Sequence, residues 1–217
     1  MIIEKIYFDT EDGLELFGLL HKPEKESKEI IIAIHGMSSS CLKQRDDILA
    51  QNFTKQGIAY FCFNNRGTEY VTKFKRKQGD KEDRYIGGCT YEDIYESHLD
   101  IQGAIKIMKE YGYTKIHLQG HSLGCTKIVY TFNKLKKDKI LEDIHSVIFL
   151  SMVDIVGTQK IYLKENFEKS LKQANMLKEE GKELALINPN YFIHPISVKT
   201  YLRYFQDNRI NKYSKVW

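Results

Sequence analysis

Nowhere in this chain do about 18 uncharged apolar residues run together, and the N-terminus, Met1-Ile-Ile-Glu-Lys-Ile-Tyr7, has no long apolar core behind a basic start. Secretion and membrane spanning are therefore both disfavoured. The cysteines Cys41, Cys62, Cys89 and Cys125 lack the paired spacing of a metal site. Scattered through apolar and loop contexts, they read as free thiols of a reducing, cytoplasmic compartment rather than as a disulfide framework. Neither charge sign is in large excess: 33 Lys and Arg stand against 29 Asp and Glu, a formal net charge of +4. A surplus so modest and so evenly spread does not argue for a nucleic-acid partner. The densest basic stretch, Lys73 to Lys77, runs into Asp80, Glu82 and Asp83, the composition of a solvated loop. Internal repeats and low-complexity tracts are absent.

What is present suits one α/β domain: 217 residues, of which 42% are hydrophobic, enough to bury a core. Ile2 to Phe8 and Leu14 to His21, joined by Thr10-Glu-Asp-Gly13, predict an antiparallel hairpin with a favoured Asp-Gly turn. Ile30-Ile-Ile-Ala-Ile34 reads as a buried parallel strand. Leu42, Leu49 and Phe53 recur at helical intervals up to Gly57, and Ile58 to Phe63 supplies a fourth strand. Asn64 to Cys89 is long, polar and punctuated by Gly, and is expected to be a loop bordering a functional site. A helix follows from Cys89 or Thr90, with Ile94, His98, Ile101, Ile105 and Met108 on its buried stripe, which makes His98 a core histidine. Lys115 to Gln119 and Ser146 to Ser151 give strands five and six. One amphipathic helix is predicted over Gln159 to Lys182 and another over Ile196 to Phe205. Strands alternating with helices after an initial hairpin predict a mostly parallel, doubly wound sheet.

The most informative segment is Gly120-His-Ser-Leu-Gly124, between strand five and a Pro-free helical stretch, Leu123 to Lys136. A serine on so tight a turn lifts its hydroxyl clear of the sheet, in a strained conformation costing roughly 1–3 kcal/mol. Gly120 and Gly124 leave room for strand and helix to pack. The N–H of Leu123, at the positive end of the helix, can face an oxyanion. A second such donor belongs on the loop after the third strand, where Gly36 permits close approach and Met37 offers its N–H. His35, at that strand's end, reads as structural.

Four blocks, Ala33-Ile-His-Gly-Met37, Phe63-Asn-Asn-Arg-Gly67, Thr90-Tyr-Glu-Asp-Ile94 and His117-Leu-Gln-Gly-His-Ser-Leu-Gly124, resemble the α/β-hydrolase superfamily. More narrowly, the chain is similar to serine esterases of the feruloyl-esterase and fungal siderophore-esterase-like kind. The resemblance implies a single domain over 1–217, with its core in 1–155 and a helical cap in 156–210. It implies cleavage of a small-molecule carboxylic ester through an acyl-enzyme on Ser122, with Met37 and Leu123 as oxyanion donors and no cofactor. Epoxide and haloalkane cleavage generally use a carboxylate nucleophile, so Ser122 counts against them. In the cap, Leu163, Phe167, Tyr191 and Phe192 either line an acyl pocket or pack onto the sheet, and packing is the favoured expectation.

A serine hydroxyl needs a histidine base oriented by a carboxylate. In the resembling family these follow strand seven, or less often six, and strand eight, whereas the sequence ends at Trp217, soon after the cap. Two further strand–helix units would need roughly 60 residues. Strands seven and eight, with the expected acid and base, are accordingly expected to be missing. Ser122, Asp154 and His194 stand in the family's chain order. Yet His194 reads as the entry to a helix and Asp154 as a helix cap, so neither is assigned a role. An unpaired strand six recruits a cover, which could be a second copy of the chain, a companion fragment or rearranged cap helices. The competing functional expectation is a truncated or degenerate hydrolase fold that binds without turnover or forms part of a larger enzyme.

Overall fold

The structure, a computed structural model, describes residues 1–79, 81–136 and 138–207. Asp80 and the C-terminal end of the expected cap, 208–210, lie outside the described residues.

Six strands form one sheet in the order β1-β2-β4-β3-β7-β8. Strands β1 (Ile2–Asp9) and β2 (Glu15–Lys22) form the expected hairpin, and β2 pairs antiparallel with β4 (Ala59–Phe63). From there β3 (Glu29–Ile34), β7 (Lys115–His121) and β8 (Ile144–Leu150) continue in parallel. The period-two rule is plainest in β3: Ile30, Ile32 and Ile34 enter one apolar cluster while Ile31 and Ala33 enter another on the opposite face. Both faces are covered, which is why this strand is an unbroken apolar run. Helix α1 (Gln44–Lys55) packs Ala50 and Phe53 on one side. Helices α2 (Ser97–Glu110) and α3 (Leu123–Lys134) cover the other with Ile101, Ile105, Met108 and Ile128. Each fully buried aliphatic side chain contributes about 1.5–3 kcal/mol.

Three local expectations are corrected. The segment Asn64 to Cys89 is not a plain loop, because β5 (Thr72–Gln78) and β6 (Lys81–Gly87) form a separate two-stranded hairpin within it, with Lys73 to Lys77 on β5. The helix after Cys89 begins later, at Ser97, preceded by a short 3-10 turn, Ile94–Glu96, that Asp93 caps by accepting from the N–H of Tyr95. The long cap helix is two helices, α4 (Ile155–Leu163) and α5 (Asn166–Glu179), separated at Lys164, whose φ is +50°. A final helix, α6 (Val198–Phe205), buries Tyr201, Tyr204 and Phe205 against α5 in a cluster distinct from the sheet core.

The hairpin brings the strands among the described residues to eight, but it lies before α2 in the chain. After β8 the described residues form helices and no further strand, so β8 is the outer strand of the sheet. Its Val147 and Phe149 are only half-buried against the core. Among the described residues no helix is long and apolar enough to cross a membrane.

Candidate active site

Ser122 sits between the end of β7 and the first residue of α3 with φ +52° and ψ −120°, a conformation that non-glycine residues rarely adopt. The steric conditions for this bend are met by glycines. A Cβ on Gly124 would come within 2.2 Å of the carbonyl oxygen of Ile34, and one on Gly120 within 2.7 Å of the Cys125 backbone. A Cβ on Gly36 would lie 3.0 Å from the Ser122 side chain, so the loop after β3 is drawn against the bend.

Ser122 lines a cavity of about 600 Å³ together with Gly36, Met37, Leu123 and His121. Val153, Ile155 and Tyr162 from the start of the cap, and Phe192, Ile193 and His194 from its later loop, close the apolar side. Lys43, Ser38, Thr158 and Gln159 add polar groups. Leu123 is the first residue of α3, so its N–H has no partner within the helix. The sequence itself points to Ser122, Gly36, Met37, Leu123, Phe192 and His194 among these. Leu163 and Phe167 do not line the cavity but pack inside the cap, with Tyr191 against them, rather than onto the sheet as the packing alternative expected. The remaining lining residues come together only through tertiary structure and carry no local signal.

The imidazoles near the bend have different fates. His35 is buried, with Nδ1 donating to the carbonyl of Gly36 (2.8 Å) and Nε2 accepting from the N–H of Asn65 (3.2 Å). Burial, aided by the nearby Lys127 charge, lowers its pKa to about 3, so it is a neutral clamp on the loop. His121 lines the cavity, with its Nδ1 buried and without a hydrogen-bond partner among the described residues. His194 shares the cavity, and its Nδ1 lies 3.4 Å from the hydroxyl of Tyr70. Burial shifts both of these histidines below the ordinary imidazole range. Asp154 is exposed and caps α4 by accepting from the N–H of Gly157 at 2.9 Å. His98 is half-buried and bonded to the carbonyl of Tyr95 at 2.9 Å. No hydrogen bond joins the Ser122 hydroxyl to an imidazole among the described residues. None of them form a His, Cys, Asp or Glu cluster able to hold a metal ion.

Beneath the bend runs a buried charge network that the sequence blocks foreshadow without explaining. Lys127 of α3 forms an ion pair with Glu92 and donates to Oδ1 of Asn65 at 2.9 Å, and both charged side chains are at most 1% exposed. Arg66, fully buried, bonds Asp100 at 2.7 and 2.9 Å and pairs also with Glu96 and Asp12. The loop after β4, the segment before α2 and the helix behind Ser122 are thereby joined.

Comparison with curated proteins finds no match. Among solved structures, the chain is similar to DcsB in complex with its substrate analogue (TM-score 0.63, 15% identity, 97% of this chain and 76% of that one). It is also similar to Est1E from Butyrivibrio proteoclasticus with bound ferulic acid (TM-score 0.54, 18% identity, 72% of this chain), of which it spans only 56%. An esterase from Pyrococcus furiosus aligns over 94% of this chain and 66% of its own (TM-score 0.54, 19% identity). Across families of known sequence, residues 29–211 match the alpha/beta hydrolase fold. That match runs from β3 through the bend at Ser122 and into the cap, and the chain belongs to the α/β-hydrolase family.

Proposed function

We propose that the protein is a serine hydrolase that cleaves carboxylic esters through an acyl-enzyme on Ser122. The observation that carries this reading is the Ser122 bend: a non-glycine residue held at φ +52° against a cavity walled largely by apolar side chains. The hydroxyl oxygen attacks the ester carbonyl, and the alkoxide so formed is stabilised by the N–H groups of Met37 and Leu123. Each such donor is typically worth about 10²–10³ in rate. The departing alkoxide takes up the proton given up by the serine and leaves as the alcohol, and water then adds to the acyl carbon, releasing the acid and restoring the Ser122 hydroxyl. The aliphatic and aromatic walls from Val153, Ile155 and Phe192 receive the acyl group, and no cofactor is required.

The test is incubation with a fluorophosphonate followed by peptide mapping, together with hydrolysis of a short p-nitrophenyl ester. Labelling of Ser122 and turnover that Ser122→Ala abolishes are expected. Absence of both defeats the reading.

One observation favours a second reading, in which the chain binds without turnover or is one part of a larger enzyme. The Ser122 hydroxyl has no imidazole bonded to it among the described residues, while His194 shares its cavity but is turned to Tyr70. Turnover that appears only when a further polypeptide supplying a carboxylate and an imidazole is added would select this reading.

A further inference from the structure

At the opposite end of the two strands that carry the Ser122 bend, a second hydroxyl, imidazole and carboxylate stand in line. The Ser146 hydroxyl lies 2.6 Å from Nδ1 of His117, and Nε2 of His117 lies 2.9 Å from Oε1 of Glu29. The pattern follows from sheet geometry. His117 on β7 and Ser146 on β8 are register partners, and Glu29 starts β3 two residues before Ile31, the partner of His117 on the other side. Side chains two residues apart on a strand share a face, so all three meet on one side of the sheet.

The chemistry of the row is fixed by its carboxylate. Lys115 Nζ, 2.8 Å from Glu29, holds that carboxyl below its ordinary pKa, with His117 adding to the effect. An ionised carboxylate can only accept, so Nε2 of His117 carries the proton. In the neutral ring Nδ1 is then a lone pair aimed at the Ser146 hydroxyl. The imidazole is sheltered, with a side chain 12% exposed and the His145 ring edge-on to it at 5.3 Å, whereas Ser146 is open to solvent. A base held in one tautomer beside an accessible hydroxyl is the arrangement that activates a serine. His117 is five residues before Ser122, about 16 Å along an extended strand, so this row does not belong to the cavity described above.

We propose that Ser146 is a second nucleophilic serine, modified at the protein surface by activated acyl and phosphonyl donors, with His117 as its base and Glu29 positioning that base. In the step, the Ser146 oxygen forms a bond to the carbonyl carbon or phosphorus, and the bond from that atom to the leaving group breaks. The hydroxyl proton passes to Nδ1 of His117 and from there to the departing alkoxide or fluoride. The product is a serine ester on the outer strand of the sheet.

The experiment uses the full chain carrying Ser122→Ala, a fluorophosphonate as donor and mass-spectrometric mapping of the adduct over time. Ser146 is expected to be labelled, and His117→Gln in the same background to slow that labelling by about a hundredfold, the typical contribution of a general base. Glu29→Gln is expected to slow it as well, and it serves as the second variant if His117→Gln fails to fold, as judged by its thermal transition. No adduct on Ser146, or a rate that neither substitution changes, overturns the proposal. Because the two serines lie in different peptides, the wild-type map separates the outcomes. Failure of Ser122 to react counts against the proposed function alone, and failure of Ser146 counts against this inference alone.

Discussion

The backbone N–H of Ser122 donates to the carbonyl of Leu150, 2.9 Å away, so the bend is anchored to the last residue of the outer strand β8. The site therefore depends on a strand that, among the described residues, pairs on one side only. The anchoring also over-determines a strained residue, as such conformations require. Replacing Ser122 by Gly removes the Cβ that makes φ +52° costly. Ser122→Gly is expected to be inactive toward esters and more stable than the parent by about 1 kcal/mol. Urea denaturation of the two proteins decides it, and a less stable glycine variant would contradict the assignment of strain to this residue.

Gly124 gives the complementary expectation. A methyl group there meets the Ile34 carbonyl oxygen at 2.2 Å, and backbone cannot retreat as the end of a flexible side chain can. Gly124→Ala should cost about 2 kcal/mol or more and push α3 away from β3. Its expected signature is a large loss of Ser122 labelling by a fluorophosphonate accompanied by a lower thermal midpoint.

The strands were legible because their signals are local. Ile30 to Ile34 is an apolar run whatever lies around it, and the Gly-flanked serine behind Lys115 to Gln119 states its own turn. The hairpin of β5 and β6 was not legible, since its strands are dominated by Lys, Arg, Glu and Asp and only Phe74 of β5 is buried. An alternation with so little to bury does not stand out from a solvated loop. The break between α4 and α5 falls at Lys164 with neither Gly nor Pro to mark it. The cavity wall from Val153, Tyr162 and Ile193 arises only when the cap folds over the bend, and residues exposed by 40%, 59% and 73% give no periodic trace. Burial of Lys127 and Arg66 runs against what either residue type suggests.

Lys127 and Glu92 are an ion pair taken almost wholly out of water. Removing one partner leaves the other buried and uncompensated, a loss of about 3–5 kcal/mol. Lys127→Met and Glu92→Gln should each destabilise strongly, and the double variant should be less damaged than the sum of the two. A double-mutant cycle in urea measures this, and strict additivity would mean that the two charges do not act on each other.

The outer position of β8 bears on assembly. Among the described residues β8 pairs with β7 alone, and the edge of an outer strand is a template for another strand. The proposal is that a second copy covers it, and light scattering across a range of concentrations is expected to report a dimer. A protein that is monomeric throughout would refute the pairing.

Acid should weaken the fold through His35. Its pKa in the folded chain is about 3, depressed mainly by burial, against about 6.5 for an unhindered imidazole. Between these two values the unfolded chain binds a proton that the folded chain refuses, so stability falls as pH drops from about 6.5 toward 3. The slope from this one group is about 1.4 kcal/mol per pH unit within that window, and no contribution to the slope is expected above it. Replacement by Asn removes the titrating group and keeps a side chain able to bond the backbone of the loop between Gly36 and Asn65. His35→Asn is therefore expected to be less stable than the parent at pH 7, through imperfect packing, yet to lose stability more gradually on acidification. Urea midpoints collected from pH 7.5 to 4.5 compare the two slopes, and parallel curves would show that the buried imidazole is not what makes the fold sensitive to acid.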